Sequence, residues 1–174
     1  DTVTSLGGVP LYLDKWKIDL AYSCSQKGLS CPPGLGPFSM NERAENKMSN
    51  RKDKVPNWYL DVSLLNKYWG SDRVYHHTAP VNMNFGIREA LRLLAEEGLE
   101  NSWERHQVNA KSLWKGLQRL GLKLHVPEEL RLATLTTVCI PSDVDGKAFS
   151  LHLLNKFGVE IGGGLGDLAG KVWR

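Results

Sequence analysis

The sequence predicts an α/β domain followed by most of a small α+β domain, and three observations carry that prediction. Short apolar runs alternate with glycine- and proline-rich loops and charged helical stretches through the first part of the chain. Two central stretches repeat apolar residues every three or four positions, the period of a helix with one buried face. After Gly121 the pattern changes to strand, strand, helix, strand, an order that suits a small α+β unit beside a larger α/β one.

Taken in order, Asp1–Ser5 reads as the end of a buried strand, and Gly7-Gly8 turns the chain. Ile18–Ser23 is a short apolar strand that leads into a loop around Lys27. Pro32-Pro33-Gly34 punctuates, Pro37–Met40 is a further short strand, and the charge-rich Asn41–Asn50 is helical. Asp61 opens a helix that runs through Trp69 and closes at Gly70. Met83, Ile87, Leu91 and Leu94 form one apolar face of a helix ending near Gly98. Trp103, His106, Ala110, Leu113, Leu117 and Leu120 form the face of the next, which stops at Gly121. Burying each large apolar side chain of that stripe contributes on the order of 1.5–3 kcal/mol, so it is core. Strands are then expected at Leu122–Val126 and Thr134–Ile140, a helix at Val144–Lys156, and a strand at Val159–Ile161. The domain boundary is placed between residues 1–98 and 99–174, where one long helix hands over to another.

Of 174 residues, 41% are hydrophobic and 24% charged, ordinary for a globular protein, and the net charge of +3 is small. The densest basic cluster, Lys47, Arg51, Lys52 and Lys54, is interrupted by Asp53 and reads as a solvated helix end, not a nucleic-acid surface. Cys24, Cys31 and Cys139 lack metal-type spacing and read as reduced thiols of an intracellular protein. No apolar run approaches the roughly 20 residues that span a bilayer. The chain begins at Asp1 and stops at Arg174, straight after an apolar Val172-Trp173 where a strand is expected to continue, so both ends are expected to be cut.

Two residue types suggest chemistry. A lysine amine such as that of Lys27 can form a Schiff base with an aldehyde cofactor, and a carboxylate such as Asp1 can keep that cofactor's pyridine nitrogen protonated. Alone, the pair reads as a solvated surface lysine and a terminal surface carboxylate, and carries little weight for chemistry. Tyr75-His76-His77-Thr78 brings two histidines together, but neighbours in an extended chain point opposite ways and no acidic or cysteine ligand completes a metal site. Gly162-Gly163-Gly164-Leu165-Gly166 lacks the helix-opening context of a phosphate loop and reads as a flexible turn delivering Arg174.

The stretches Asp1-Thr2-Val3-Thr4-Ser5-Leu6-Gly7-Gly8, Ser23-Cys24-Ser25-Gln26-Lys27, Pro32-Pro33-Gly34, Tyr75-His76-His77-Thr78, Glu97-Gly98-Leu99-Glu100-Asn101 and Gly163-Gly164-Leu165-Gly166 occur in that order. Together they resemble the alanine–glyoxylate/serine–pyruvate aminotransferases, pyridoxal-phosphate enzymes of fold type I, over nearly the whole chain. The resemblance implies an internal piece: the second half of the cofactor-binding large domain, then most of the small domain. It implies pyridoxal 5'-phosphate as cofactor, with Lys27 holding it and moving the substrate Cα proton, and Asp1 at the ring nitrogen. The proton-moving task needs a neutral amine, hence a Lys27 that is buried and close to positive charge. By the same resemblance Gln26 contacts the phosphate, and Cys24 packs near the cofactor. Tyr75 and Thr78 reach the partner subunit's cofactor phosphate across a homodimer, with His76 and His77 as interface or structural residues. Arg174 clamps the substrate α-carboxylate with its planar fork.

The implied reaction moves an amino group from alanine or serine to glyoxylate or pyruvate, and the implied location is peroxisome or mitochondrion. Two rivals share the class: a 3-hydroxykynurenine transaminase, and a cysteine desulfurase, for which Cys139 in a strand is poorly placed. A third reading is a non-catalytic fragment acting through the dimer interface, and the isolated stretch is expected to be inactive. The short Gly70–Val74 loop, Gly162 in place of a bulkier residue and Ala133 in place of proline depart from the family pattern.

Overall fold

The computed structural model describes residues 1–174, which form two compact units. The first comprises residues 1–6 and 11–93, the second residues 7–10 and 94–174. The expected boundary after Gly98 lies a little beyond this division, where one helix gives way to the next.

In the first unit, β1 (Leu20–Tyr22) pairs antiparallel with β2 (Phe38–Met40), with Ala21 opposite Ser39. Helix α1 (Glu42–Ser49) starts at Asn41, whose side-chain oxygen accepts from Ala44 N at 3.0 Å. Helix α2 (Val62–Trp69) starts at Asp61, which accepts from Ser63 N at 3.0 Å. Both caps satisfy amides that a helix start leaves without partners. Helix α3 (Val81–Glu97) begins in this unit and packs its first turns against the proline loop. A Cβ on Gly86 would meet Cys31 Sγ at 3.3 Å, and one on Gly34, at φ 143°, would meet Met83 Sδ at 2.8 Å. Asp1–Ser5 is a turn and not the expected strand. Thr2 N does reach Tyr22 O at 2.9 Å, but Ser5 N and Leu6 N fold back onto Thr2 O, at 3.2 and 3.0 Å.

In the second unit, α4 (Leu99–Arg119) supplies the core. Ala110 and Trp114 pack with Leu124, Val138 and Trp173, flanked by Leu117, Leu122, Ile140 and Ile161. The Gly7-Gly8 turn lies on this helix: Ser102 Oγ donates to Gly7 O at 2.8 Å with Ser102 buried. A Cβ on Gly8 would stand 2.3 Å from Thr134 Cγ2 and 3.3 Å from the His106 ring. Strand β3 (Val138–Cys139) pairs antiparallel with β4 (Val172–Trp173). Helix α5 (Gly146–Phe157) is capped by Asp145, and Gly158 ends it in the left-handed region at φ 65°.

Two expected strands are not formed. Over residues 122–126 only one bridge survives, Leu124 with Val138, flanked by His125 N to Thr137 O at 2.9 Å and Cys139 N to Lys123 O at 2.8 Å. Residues 159–161 stay outside the sheet because the glycine run takes their place. Gly162 N donates to Arg174 O at 3.0 Å, Arg174 N to Gly162 O at 2.8 Å, and Gly164 N to Val172 O at 3.0 Å. The run is therefore one arm of a hydrogen-bonded hairpin, not the flexible turn expected. Gly164 must be small: a Cβ there would stand 2.1 Å from Leu168 O. No helix is long and apolar enough to cross a membrane.

Candidate functional site

The loop that carries Lys27 is a turn with a tied neck. β1 continues past its last strand residue by pairing Ser23 N with Pro37 O at 2.9 Å and Ser25 N with Leu35 O at 3.0 Å. Ser25 O then accepts from Cys31 N at 3.0 Å, which closes residues 26–30 into a tight excursion. Within it Ser30 N donates to Lys27 O at 2.9 Å, and Ser30 takes a left-handed φ of 54°. Leu29 turns inward and is buried, while Gln26 and Lys27 are exposed. The burial expected of Lys27 is therefore not supplied by residues 1–174: the turn spends its inward position on Leu29. The Ser25 hydroxyl completes the neck, donating to Pro32 O at 2.7 Å and accepting from Leu35 N at 3.3 Å. Cys24 is half-buried, Cys31 is buried, and all three cysteines are free thiols.

Asp1 is fixed against the strand that leads to this loop. One carboxylate oxygen accepts from Val3 N at 2.7 Å and the other from the Tyr22 hydroxyl at 2.9 Å. Thr2 Oγ1 donates to Tyr22 O at 2.7 Å, and Ser23 Oγ donates back to Thr2 O at 3.0 Å. These bonds join the first residues to the end of β1, a link that no local pattern in the sequence signals.

The Tyr75–Thr78 tetrapeptide sits over an aromatic cluster. The Tyr75 and Thr78 hydroxyls are 3.1 Å apart and both residues are exposed. His76 is buried, with its ring stacked on Trp58 at a centroid distance of 4.0 Å. The His76 and His77 rings do not point opposite ways as expected: their Nδ1 atoms lie 2.9 Å apart, because the chain bends at His77. His76 Nε2 stands 3.1 Å from Trp58 O. A carbonyl only accepts, so His76 Nε2–H donates to Trp58 O; in the neutral His76 ring, Nδ1 then accepts from His77 Nδ1–H. Tyr59 and Tyr68 flank His77 at 5.2 and 5.1 Å, and Tyr68 meets the Tyr75 ring edge-on at 6.2 Å. The short Gly70–Val74 loop folds back on α2 through Val74 N to Lys67 O at 3.1 Å, with Arg73 at φ 50°.

Arg174 belongs to the second unit and is exposed, with Nε donating to Gly163 O at 2.7 Å. That bond leaves the two Nη groups of the fork to face outward chemistry. A groove of about 390 Å³ runs along α4, lined among others by Gln107, Lys111, Lys115 and Arg131, and no expected site residue borders it. Cys139 lies in β3, its sulfur 4.0 Å from His125 Nδ1. Sequence reasoning missed Ser25, Tyr22 and Trp58 as supports of the candidate residues. Only Ser25 carried a signal, a small polar residue between an apolar strand and the lysine.

The described chemistry is thus an amine on a tied turn, a carboxylate held by two donors, an amide, and a hydroxyl pair in one unit, with a guanidinium in the other. Residues 1–167 match the family described as Aminotransferase class-V. The chain is 49% identical over 178 residues to an alanine–glyoxylate aminotransferase of Callithrix jacchus, covering 100% of this chain and 43% of that protein. A crystal structure of an alanine–glyoxylate aminotransferase from Nostoc sp. superposes with a TM-score of 0.95 at 65% identity, over 99% of this chain and 46% of that one. A ureidoglycine–glyoxylate aminotransferase from Bacillus subtilis superposes with a TM-score of 0.94 at 39% identity, over 100% and 45%. The fold is the α/β fold of those enzymes. The chain spans less than half the length of the relatives it matches.

Proposed function

The chain belongs to the class-V aminotransferase family, and from that premise we propose that its full-length protein transfers an amino group from alanine or serine to glyoxylate or pyruvate. Enzymes of this family work with pyridoxal 5'-phosphate. The donor set fits that cofactor: an amine for its aldehyde, a carboxylate for its ring nitrogen, and an amide and hydroxyls for its phosphate. Bound there, the cofactor supplies the carbonyl that takes up the amino group and the ring that withdraws electrons from Cα.

The chain's own residues do the remaining work. Lys27 Nζ would hold the cofactor's aldehyde carbon, and the same amine, when free, would move the proton at the substrate Cα. The Asp1 carboxylate keeps the ring nitrogen protonated, and the Tyr22 hydroxyl and Val3 amide hold it in one orientation. The Gln26 amide donates to the phosphate. Tyr75 and Thr78 donate to the phosphate of the partner subunit in a homodimer with shared sites. Arg174 receives the substrate carboxylate on its two free Nη groups.

One observation carries the reading: Asp1 is hydrogen-bonded through Tyr22 to the same strand that delivers the Lys27 turn. Glyoxylate as acceptor is supported by its appearance in the names of all three relatives above. The desulfurase alternative is disfavoured by Cys139, which is paired into β3 and not carried on a loop. The test is borohydride reduction of the full-length protein followed by peptide mass spectrometry, with a screen of alanine, serine and 3-hydroxykynurenine against glyoxylate and pyruvate. A pyridoxyl adduct on Lys27 and turnover with glyoxylate are expected. A folded protein without the adduct leaves the non-catalytic reading in its place, and turnover of 3-hydroxykynurenine alone favours that transaminase.

A further inference from the structure

Ser25 stands out among the groups near Lys27 that the reaction itself does not use. It is the most enclosed polar residue of the chain, at 0% exposure, and every polar atom it owns is engaged. Its N donates to Leu35 O at 3.0 Å, and its O accepts from Cys31 N at 3.0 Å. Its hydroxyl donates to Pro32 O at 2.7 Å and accepts from Leu35 N at 3.3 Å. Three backbone segments therefore meet on one side chain: the end of the β1 extension, the start of the proline loop, and the strand returning toward β2. Lys27 follows two residues later, exposed, on a turn that ends at a left-handed Ser30. Nothing else in the unit restrains the Lys27 side chain by hydrogen bond or ion pair, so the backbone turn alone sets where its amine stands.

We propose that Ser25 is a positioning residue for the cofactor lysine: its hydroxyl, bridging Pro32 O and Leu35 N, fixes the turn that aims Lys27 Nζ. The inference rests on the functional reading above, since it assumes that Lys27 is the residue the cofactor meets. The physical reason is geometric. An amine on an exposed four-carbon stem reaches a productive position only if its Cα is fixed, and misplacement of a reacting group by about 1 Å costs on the order of 100-fold in rate. Removing the hydroxyl leaves Pro32 O and Leu35 N without their partner inside the neck, and the turn relaxes to find others.

The experiment uses the full-length, cofactor-loaded protein with Ser25→Ala and Ser25→Cys. The cysteine variant is close in shape, retains a weak donor, and guards against an alanine variant that fails to fold. Three readouts are taken: borohydride trapping on Lys27 by peptide mass spectrometry, the pH midpoint of the cofactor's visible absorbance, and the thermal midpoint. We expect Ser25→Ala to slow trapping and lower kcat by about 10- to 100-fold, to shift the absorbance midpoint, and to leave the KM for the amino donor near its original value. Ser25→Cys falls between alanine and serine on each. A lowered thermal midpoint with trapping rate, absorbance midpoint and kcat unchanged would make Ser25 merely structural and overturn the proposal. Absence of any Lys27 adduct in the unsubstituted protein is a separate result, which removes the functional reading and this inference with it.

Discussion

Around Trp114 the chain buries an indole, a second indole and aliphatic side chains; around Lys27 it buries hydroxyls, a thiol and small residues. Ala110, Leu124, Val138 and Trp173 surround Trp114, whose Nε1 donates to Thr136 Oγ1 at 2.8 Å. In the first unit the buried set is Thr2, Ala21, Ser23, Ser25, Leu29, Cys31 and His76. Large apolar residues there, among them Trp16, Tyr22, Trp58 and Trp69, are about half exposed. The second unit is therefore held by area removed from water, which tolerates small displacements. The lysine region is held by directional bonds, which do not. A site that must place one amine accurately gains from the second kind of structure.

That contrast can be tested from both sides. The largest expected effect is on activity alone: Lys27→Arg in the full-length protein lowers kcat on the order of 10²–10⁴-fold. Compared in the cofactor-free forms, its denaturation midpoint stays put, because the side chain is exposed within residues 1–174. Steady-state kinetics beside urea unfolding separates the two. Trp114→Ala does the reverse, removing about 3–5 kcal/mol of stability through a cavity in the second unit, read by denaturant unfolding. If it left stability untouched, the apolar core would not be what holds that unit.

Gly8→Ala is intermediate. Its Cβ would stand 2.3 Å from Thr134 Cγ2, and the strain costs about 1–3 kcal/mol. Thermal unfolding should show the loss, and Thr134→Ser in the same chain should recover part of it by removing the methyl.

The smallest effect is a pH dependence at His106. Burial pulls its pKa below the ordinary 6.5; neighbouring Arg105 pulls it further down, and Glu97 opposes. The unfolded chain then takes up a proton near pH 6.5 that the folded chain takes up only at lower pH. The stabilisation is complete above that pH and is lost as the pH falls toward the folded value. His106→Gln should flatten the slope of unfolding free energy in that window. An unchanged slope would show that His106 is not what sets it.

The residues of the resemblance identified the family, and local rules placed the helices well. Asn41, Asp61 and Asp145 cap α1, α2 and α5 because their side chains accept from amides two or three positions on. The three- and four-residue spacing of Met83, Ile87, Leu91 and Leu94 is carried by α3, and that of Trp103 through Leu117 by α4. Such signals are legible because donor and acceptor, or successive turns, lie within a few residues of each other. The strands were harder. Asp1–Ser5 and Val159–Ile161 are rich in the β-branched residues that suit strands, but whether they pair depends on partners far along the chain. There the glycine run holds the place beside Val172–Arg174, and Gly164 within it is the one position that needs glycine for its close approach to Leu168.

Sequence by itself determined the residue types of the candidate site and where the helices lie. Of the stripe expected to be core on α4, Ala110 is buried and Leu117 flanks the core, but Leu113 and Leu120 are exposed and Trp114, outside the stripe, takes the centre. Tertiary structure alone decided that Tyr22 holds Asp1, that His76 faces His77 beneath Trp58, and that Ser25 ties the neck behind an exposed Lys27. The physical reason is range: caps and helical stripes are written in neighbours, whereas a hydrogen bond between residues far apart in the chain exists only once the backbone has closed the loop between them.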